Sequence, residues 1–412
     1  MRATRFLLIP VIALAAACSE KPETDAELVA RAGAPLFKGM GEFHRVIDTK
    51  DPGAQRYFDQ GMVLAFGFNH AEAIRSFRAA QKIDADCAMC FWGEALATGP
   101  NINVTAKGKA IMSEDEQKSA WAALEKAKAV AASKPGVERD LIDALGKRYA
   151  AEPVADRGPL DHAYAEALGA LVQKYPADDD IAAMYGEAWM NTMPWNYWSD
   201  ATTPRPEIAP VIATLEKIIA RSPKHPLALH LYIHAMEASA TPEKAEAASD
   251  ALLALVPASG HLVHMPAHIY YRVGRYNDSV KANIEAAKID EEYIKQCNAQ
   301  GFYPAMYYPH NIHFLWSSAS MQGQSKVAIE AARKLAANVS LEQIDQFPTI
   351  EFFKTVPLQS LVHFGHWDEI LAEPQPRADL GYSNAIWHYA RGVALANKGD
   401  LKAARAEQAA LV

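Results

Sequence analysis

Cysteine is scarce, with four in 412 residues. That excludes a disulfide-stapled scaffold, and it leaves too few thiolates in paired spacing for a structural zinc module. Basic residues are not in excess: 41 Lys and Arg stand against 49 Asp and Glu, a formal net charge of −8. No basic stripe is visible, and binding to phosphates needs clustered cations, so nucleic acid is not an expected partner. Beyond the N-terminus no apolar run is long enough to span a bilayer. Val and Ile rarely alternate with polar residues, which argues against a strand-rich chain. A Gly-rich phosphate loop after a strand, a nucleophile elbow and a His-Glu-x-x-His motif are all missing. About half the residues are apolar, and Ala dominates many segments. The composition is therefore globular and favours helix.

The first 18 residues read as a processing segment. Arg2 and Arg5 precede the apolar stretch Phe6–Leu14, which is too short to span a membrane. Ala15, Ala16 and Ala17 then lead into Cys18. This is the layout of a secretory signal. A Cys directly after small residues resembles the bacterial lipobox, although Ala15 stands where that motif prefers Leu. Acylation of Cys18 is favoured over simple cleavage after an Ala-x-Ala pattern. Ser19 follows where an inner-membrane retention signal would place Asp, so the expected location is the periplasmic face of the outer membrane, with a lipid anchor. Cys87 and Cys90 are either a local disulfide or two buried thiols at a helix start.

Residues 19–50 read as a polar tether and lead-in, and residues 51–412 as a repeat array. In Tyr57–Ala80, Gly61 falls where two helices must approach closely, and Ala73, Phe77 and Ala80 follow at 12, 16 and 19 positions. This is the small, large, small pattern of a tetratricopeptide repeat. Similar hairpins recur to the end of the chain, with prolines near many boundaries, where a residue without an N–H suits a helix start. The expected fold is all-α, a right-handed superhelical solenoid of about nine helical hairpins. The first helix of each hairpin should line the concave side.

The stretches Gly67–Phe77, Cys87–Leu96, Gly99–Asn103, His264–Ile269 and Tyr308–Leu315 together resemble a family of long, exported bacterial tetratricopeptide-repeat proteins. The resemblance covers most of residues 40–400. It implies a groove-bearing helical scaffold, and it implies no reaction and no catalytic residue.

Eight of the 14 histidines lie between residues 225 and 313. His230 and His264 differ by 34, one repeat period, and so do His234 and His268. Residues four apart share a helix face, so these four form a candidate square across adjacent first helices. The local form around Gly93-Glu94-Ala95 and Gly186-Glu187-Ala188 extends the pattern backward, and His310 and His313 extend it forward. The candidate ligand-binding groove is therefore Glu94, Glu187, His230, His234, His264, His268, His310 and His313. A metal would fall to His234, His264, His268 and His313, since imidazole suits zinc, copper or iron. The leading expectation is a cell-envelope scaffold binding a peptide or protein in its groove. The alternative is a metal-binding protein or metal-dependent enzyme using the histidines.

Overall fold

The computed structural model describes residues 23–299 and 301–411. Cys18 and the signal-like segment lie outside the described residues. Helix α1 (Asp25–Ala32) is followed by nine helical hairpins among the described residues. They are α2 (Pro52–Phe66) with α3 (His70–Ile83), α4 (Ala88–Thr98) with α5 (Glu114–Val130), and α6 (Val137–Leu145) with α7 (Gly158–Lys174). Next come α8 (Asp179–Thr192) with α9 (Ala209–Arg221), and α10 (Pro226–Met236) with α11 (Glu246–Leu252). In the sixth hairpin a first helix split into α12 (Gly260–His264) and α13 (Pro266–Arg272) pairs with α14 (Tyr276–Cys297). The last three begin with α15 (Tyr308–Met321) and α16 (Ser325–Asn338). After the short α17 (Leu341–Gln346) come α18 (Val356–Phe364) with α19 (Trp367–Ala372) and α20 (Gly381–Asn397) with α21 (Leu401–Leu411). Among the described residues strand occurs only as two small ribbons, in the insertions at Thr105–Ala110 and Trp198–Pro204. Among the described residues no helix is long and apolar enough to cross a membrane.

The repeat pattern has a direct steric cause. An added Cβ on Gly61 would lie 2.7 Å from the Phe77 ring, and one on Gly93 would lie 2.4 Å from it. Phe77 on α3 is thus clamped between α2 and α4, and only glycine lets both backbones approach it. N-caps mark many helix starts: Asp51 receives Gly53 N–H, Asn69 receives Glu72 N–H, and Ser113 and Glu116 form a capping box. Between α12 and α13, Pro266 supplies no N–H, and the helix is interrupted there.

The segment read as tether and lead-in includes α1 and a strap packed on the body. Ala258 N–H donates to Gly39 O, and the Arg45 guanidinium donates to Asp178 and Asp180 at 3.0 and 2.7 Å. The array also coils back on itself. The turn joining α2 to α3 meets the fifth and sixth hairpins: His230 Nδ1 lies 2.7 Å from Phe66 O, and Tyr293 donates to Asn69. Asn103, in the insertion after α4, donates to Tyr307. One apolar core accordingly runs from Leu28 to Tyr307, while smaller cores serve the later hairpins.

Candidate metal centre

Six histidines meet where the first turn closes on the middle hairpins. Helix α10 carries His230 and His234, α12 carries His261 and His264, α13 carries His268, and α15 opens with His310. They fall into two trios, His230/His234/His261 and His264/His268/His310. Within each trio one ring nitrogen per residue lies within 4.8 Å of the others. His230 and His264 are fully buried, and His234, His261 and His268 nearly so.

The hydrogen-bond network sets the tautomers. Phe66 O can only accept, so His230 Nδ1 carries the hydrogen. The Glu237 carboxylate takes His234 Nδ1–H on one oxygen at 3.1 Å and His268 Nδ1–H on the other at 2.6 Å. Asn283 donates its amide to Ser279 O, which turns its carbonyl oxygen toward His264 Nδ1 at 2.6 Å. In the neutral imidazoles, Nε2 of His230, His234, His264 and His268 is therefore a lone pair facing inward. His264 Nε2 and His268 Nε2 stand 2.9 Å apart, and His234 Nε2 has no partner among the described residues. Orienting each ligand through the far ring nitrogen is what metal-binding histidines require.

Burial pushes the His264 imidazole well below its ordinary range, and its neighbours His268 and His310 add to this. Burial likewise lowers His230 and His261, and it takes His310 down to about 3 even though that ring keeps some solvent access. Burial alone would raise the Glu237 carboxyl, but His268 and His234 outweigh it and hold the group ionised. One phenylalanine backs each trio. Phe68 lies 4.6, 6.1 and 5.2 Å, between ring centroids, from His230, His234 and His261. Phe314 lies 5.2, 4.5 and 5.3 Å from His264, His268 and His310. Phe68 sits at φ +57°, a left-handed conformation costly for a bulky residue and held here by the closed turn.

Several sequence-level assignments need correction. The metal set His234, His264, His268 and His313 is not one cluster. His234 belongs to the first trio, His264 and His268 to the second, and His313 to neither. His313 stacks on Trp316 at 5.1 Å and packs against Phe352 and Phe353. Glu94 is also elsewhere: it is buried against α3, where Arg78 and Gln81 donate to it at 2.7 and 2.6 Å. Glu187 lies apart on α8, its carboxyl raised to about 7 by burial against the pull of Arg148. Along the first trio the expected groove is filled by the chain's own turn, Phe66 to His70.

Two participants were missed, His261 and Glu237. His261, His264 and His268 share one helix face by their spacing of three and four, and Glu237 stands three residues after His234. Those spacings were the available signals. Cys87 and Cys90 are joined in a disulfide at the start of α4.

No protein-family model matches the chain, and no curated protein matches it in sequence. Among solved structures, human IFIT1 as a dimer with m7Gppp-AAAA aligns at 12% identity and a TM-score of 0.42, over 88% of this chain and 77% of that one. Yeast Tom70 aligns at 9% identity and 0.29, over 86% and 83%. Cut9 in the APC/C hetero-tetramer Cut9–Hcn1 aligns at 12% and 0.28, over 87% and 73%. Overlap this partial supports no statement about what this chain binds.

Proposed function

We propose that this protein binds metal ions, its helical array serving as the scaffold for two three-histidine centres. One observation carries the reading: His264 Nε2 and His268 Nε2 face each other at 2.9 Å with both Nδ1 hydrogens already committed to acceptors. Two lone pairs in that position repel unless a cation lies between or beside them. A proton between them would make His268 an imidazolium paired with Glu237, but it would leave the inward lone pair of His234 Nε2 without a partner among the described residues. A metal ion accepts both lone pairs, and small ring rotations bring the third nitrogen to the usual metal–nitrogen bond of about 2.0–2.1 Å. Zinc, copper and iron all suit imidazole.

The same reading places the protein in the bacterial envelope, tethered by a lipid on Cys18 at the periplasmic face of the outer membrane. The signal-like N-terminus and the Cys87–Cys90 disulfide support an oxidising compartment. Mass spectrometry of the mature N-terminus tests this, with an acylated Cys18 expected. A peptide or protein partner of the scaffold would meet the array away from the histidines, whose side of the coil is closed.

The decisive test of the metal reading is titration of chelator-stripped full-length protein with Zn(II) and Cu(I), read by elemental analysis after desalting. Two ions per chain are expected, and one per chain in His264→Ala/His268→Ala. A folded protein that retains no ion would refute the proposal.

A further inference from the structure

We infer that the two trios hold a single copper pair that takes up dioxygen. This rests on the metal reading above and adds the metal, its oxidation state and the small molecule it meets.

The trios are two halves of one site. His261 and His264 ring centroids are 6.0 Å apart, and those of His234 and His268 are 5.8 Å apart, so each trio abuts the other on two sides. Glu237 spans the divide. Its two oxygens receive Nδ1–H from His234 of one trio and His268 of the other, fixing the spacing of the halves.

Charge then selects the metal. The six ligands are neutral imidazoles, and among the described residues no carboxylate or thiolate joins either trio. Among the described residues Glu237 is the one anion bonded to the cluster, and both its oxygens are engaged by N–H groups. Two divalent ions would set four positive charges against one negative charge in a closed interior. Two cuprous ions set two against one. Uncompensated buried charge is expensive, so the monovalent pair is favoured. A cuprous ion is also content with three nitrogen donors, whereas a closed zinc site takes four ligands.

The chemistry open to such a pair follows from counting electrons. Each Cu(I) gives up one electron and becomes Cu(II). Dioxygen accepts both, its oxygen–oxygen bond order falls from two to one, and it is held as peroxide between the ions. No proton is needed, and two Cu(II) with one peroxide carry the same net charge as two Cu(I). The buried charge is thus unchanged by uptake. Phe68 and Phe314 set an apolar ring against each trio, surroundings that suit a small neutral diatomic.

The test uses the full chain, stripped of metal, loaded with Cu(I) under nitrogen, desalted and then exposed to air-saturated buffer. Two coppers per chain are expected, with one dioxygen consumed per two coppers at an oxygen electrode. A peroxide-to-copper absorption band should appear with little Cu(II) paramagnetic resonance signal, because adjacent spins pair. His230→Gln and His310→Gln, one from each trio, should each keep one copper. Uptake should then be lost rather than halved, and an ordinary isolated Cu(II) signal should appear on oxidation. Circular dichroism confirms that each variant is folded. Two bound coppers with no oxygen uptake, or with isolated Cu(II) signals in the unaltered protein, would overturn this inference. So would two tightly held zinc ions that copper cannot displace, an outcome that leaves the metal reading intact. A folded chain that binds neither metal removes both.

Discussion

The two trios use the same parts drawn from different distances along the chain. The second is local: His264, His268 and His310 belong to consecutive hairpins, Phe314 stands one turn after His310, and Asn283 on the intervening α14 orients His264. The first is assembled across the coil. His230 and His261 come from neighbouring hairpins, but their cover, Phe68, and their orienting acceptor, Phe66 O, belong to the first hairpin. Repeat stacking alone therefore explains one trio whole, while the other owes its cover and the acceptor that orients His230 to the array closing on itself.

Acid should erase the difference between them, and it is the largest effect expected. In the unfolded chain these imidazoles titrate near 6.5, while in the fold burial holds His310 at about 3 and His70 and His313 at about 4. Below pH 6.5 the unfolded chain binds protons that the native, metal-free protein refuses. Each such histidine should therefore cost up to about 1.4 kcal/mol per pH unit as pH drops from about 6.5 toward 3–4, a fall that the fewer carboxyls raised to about 7, Glu187 and Asp290, offset only in part. Chemical denaturation of the stripped protein between pH 7.5 and 5 measures this, and a flat profile would contradict it.

Phe68→Ala should separate the trios. Removing a buried aromatic costs about 3–5 kcal/mol, and affinity should drop at the first trio and hold at the second. Competition with a chromophoric chelator, resolving two affinities, checks this. Equal losses at both would mean the trios are not independently supported.

Glu237→Gln should weaken both sites together. A glutamine oxygen can serve one Nδ1–H while its amide confronts the other, and loss of such an orienting partner typically costs 10–100-fold in affinity. Asn283→Ala should be milder and fall on the second trio alone, at roughly the lower end of that range. The same competition assay reads both. An Asn283→Ala loss confined to the first trio would reverse the assignment of supports.

Much of the architecture was legible in the sequence. Gly61 and Phe77 announced a close helix pair, and the hairpins fell where periodicity and proline put them, because those signals are local. The histidine face was legible for the same reason: residues four apart on one helix stay together. What escaped depends on register between helices. The 34-residue offset paired His230 with His264, but α10 and α12 meet in another register, and His261 is the residue bonded to His230, at 3.2 Å. A π-helical turn at Tyr303–Tyr307 precedes α15, and there His310 joins the cluster while His313 does not. Glu94 shared a local motif with Glu187, but a motif of three residues does not state which helix face it occupies. The closing contact of Phe68 joins residues too far apart in sequence for any repeat pattern to report.

That closing contact also gives the site a timetable. Phe66 and His230 are separated by 164 residues. At about 5–20 residues per second, synthesis takes on the order of 10–30 seconds to travel from one to the other. During that interval the first hairpin can form with Gly61 seated on Phe77, yet Phe68 has nothing to cover. The second trio draws its histidines from the sixth hairpin and the first helix of the seventh, so it can be completed as soon as α15 is made. The first trio must in addition wait for the two ends of a long loop to find each other before Phe68 can cover it.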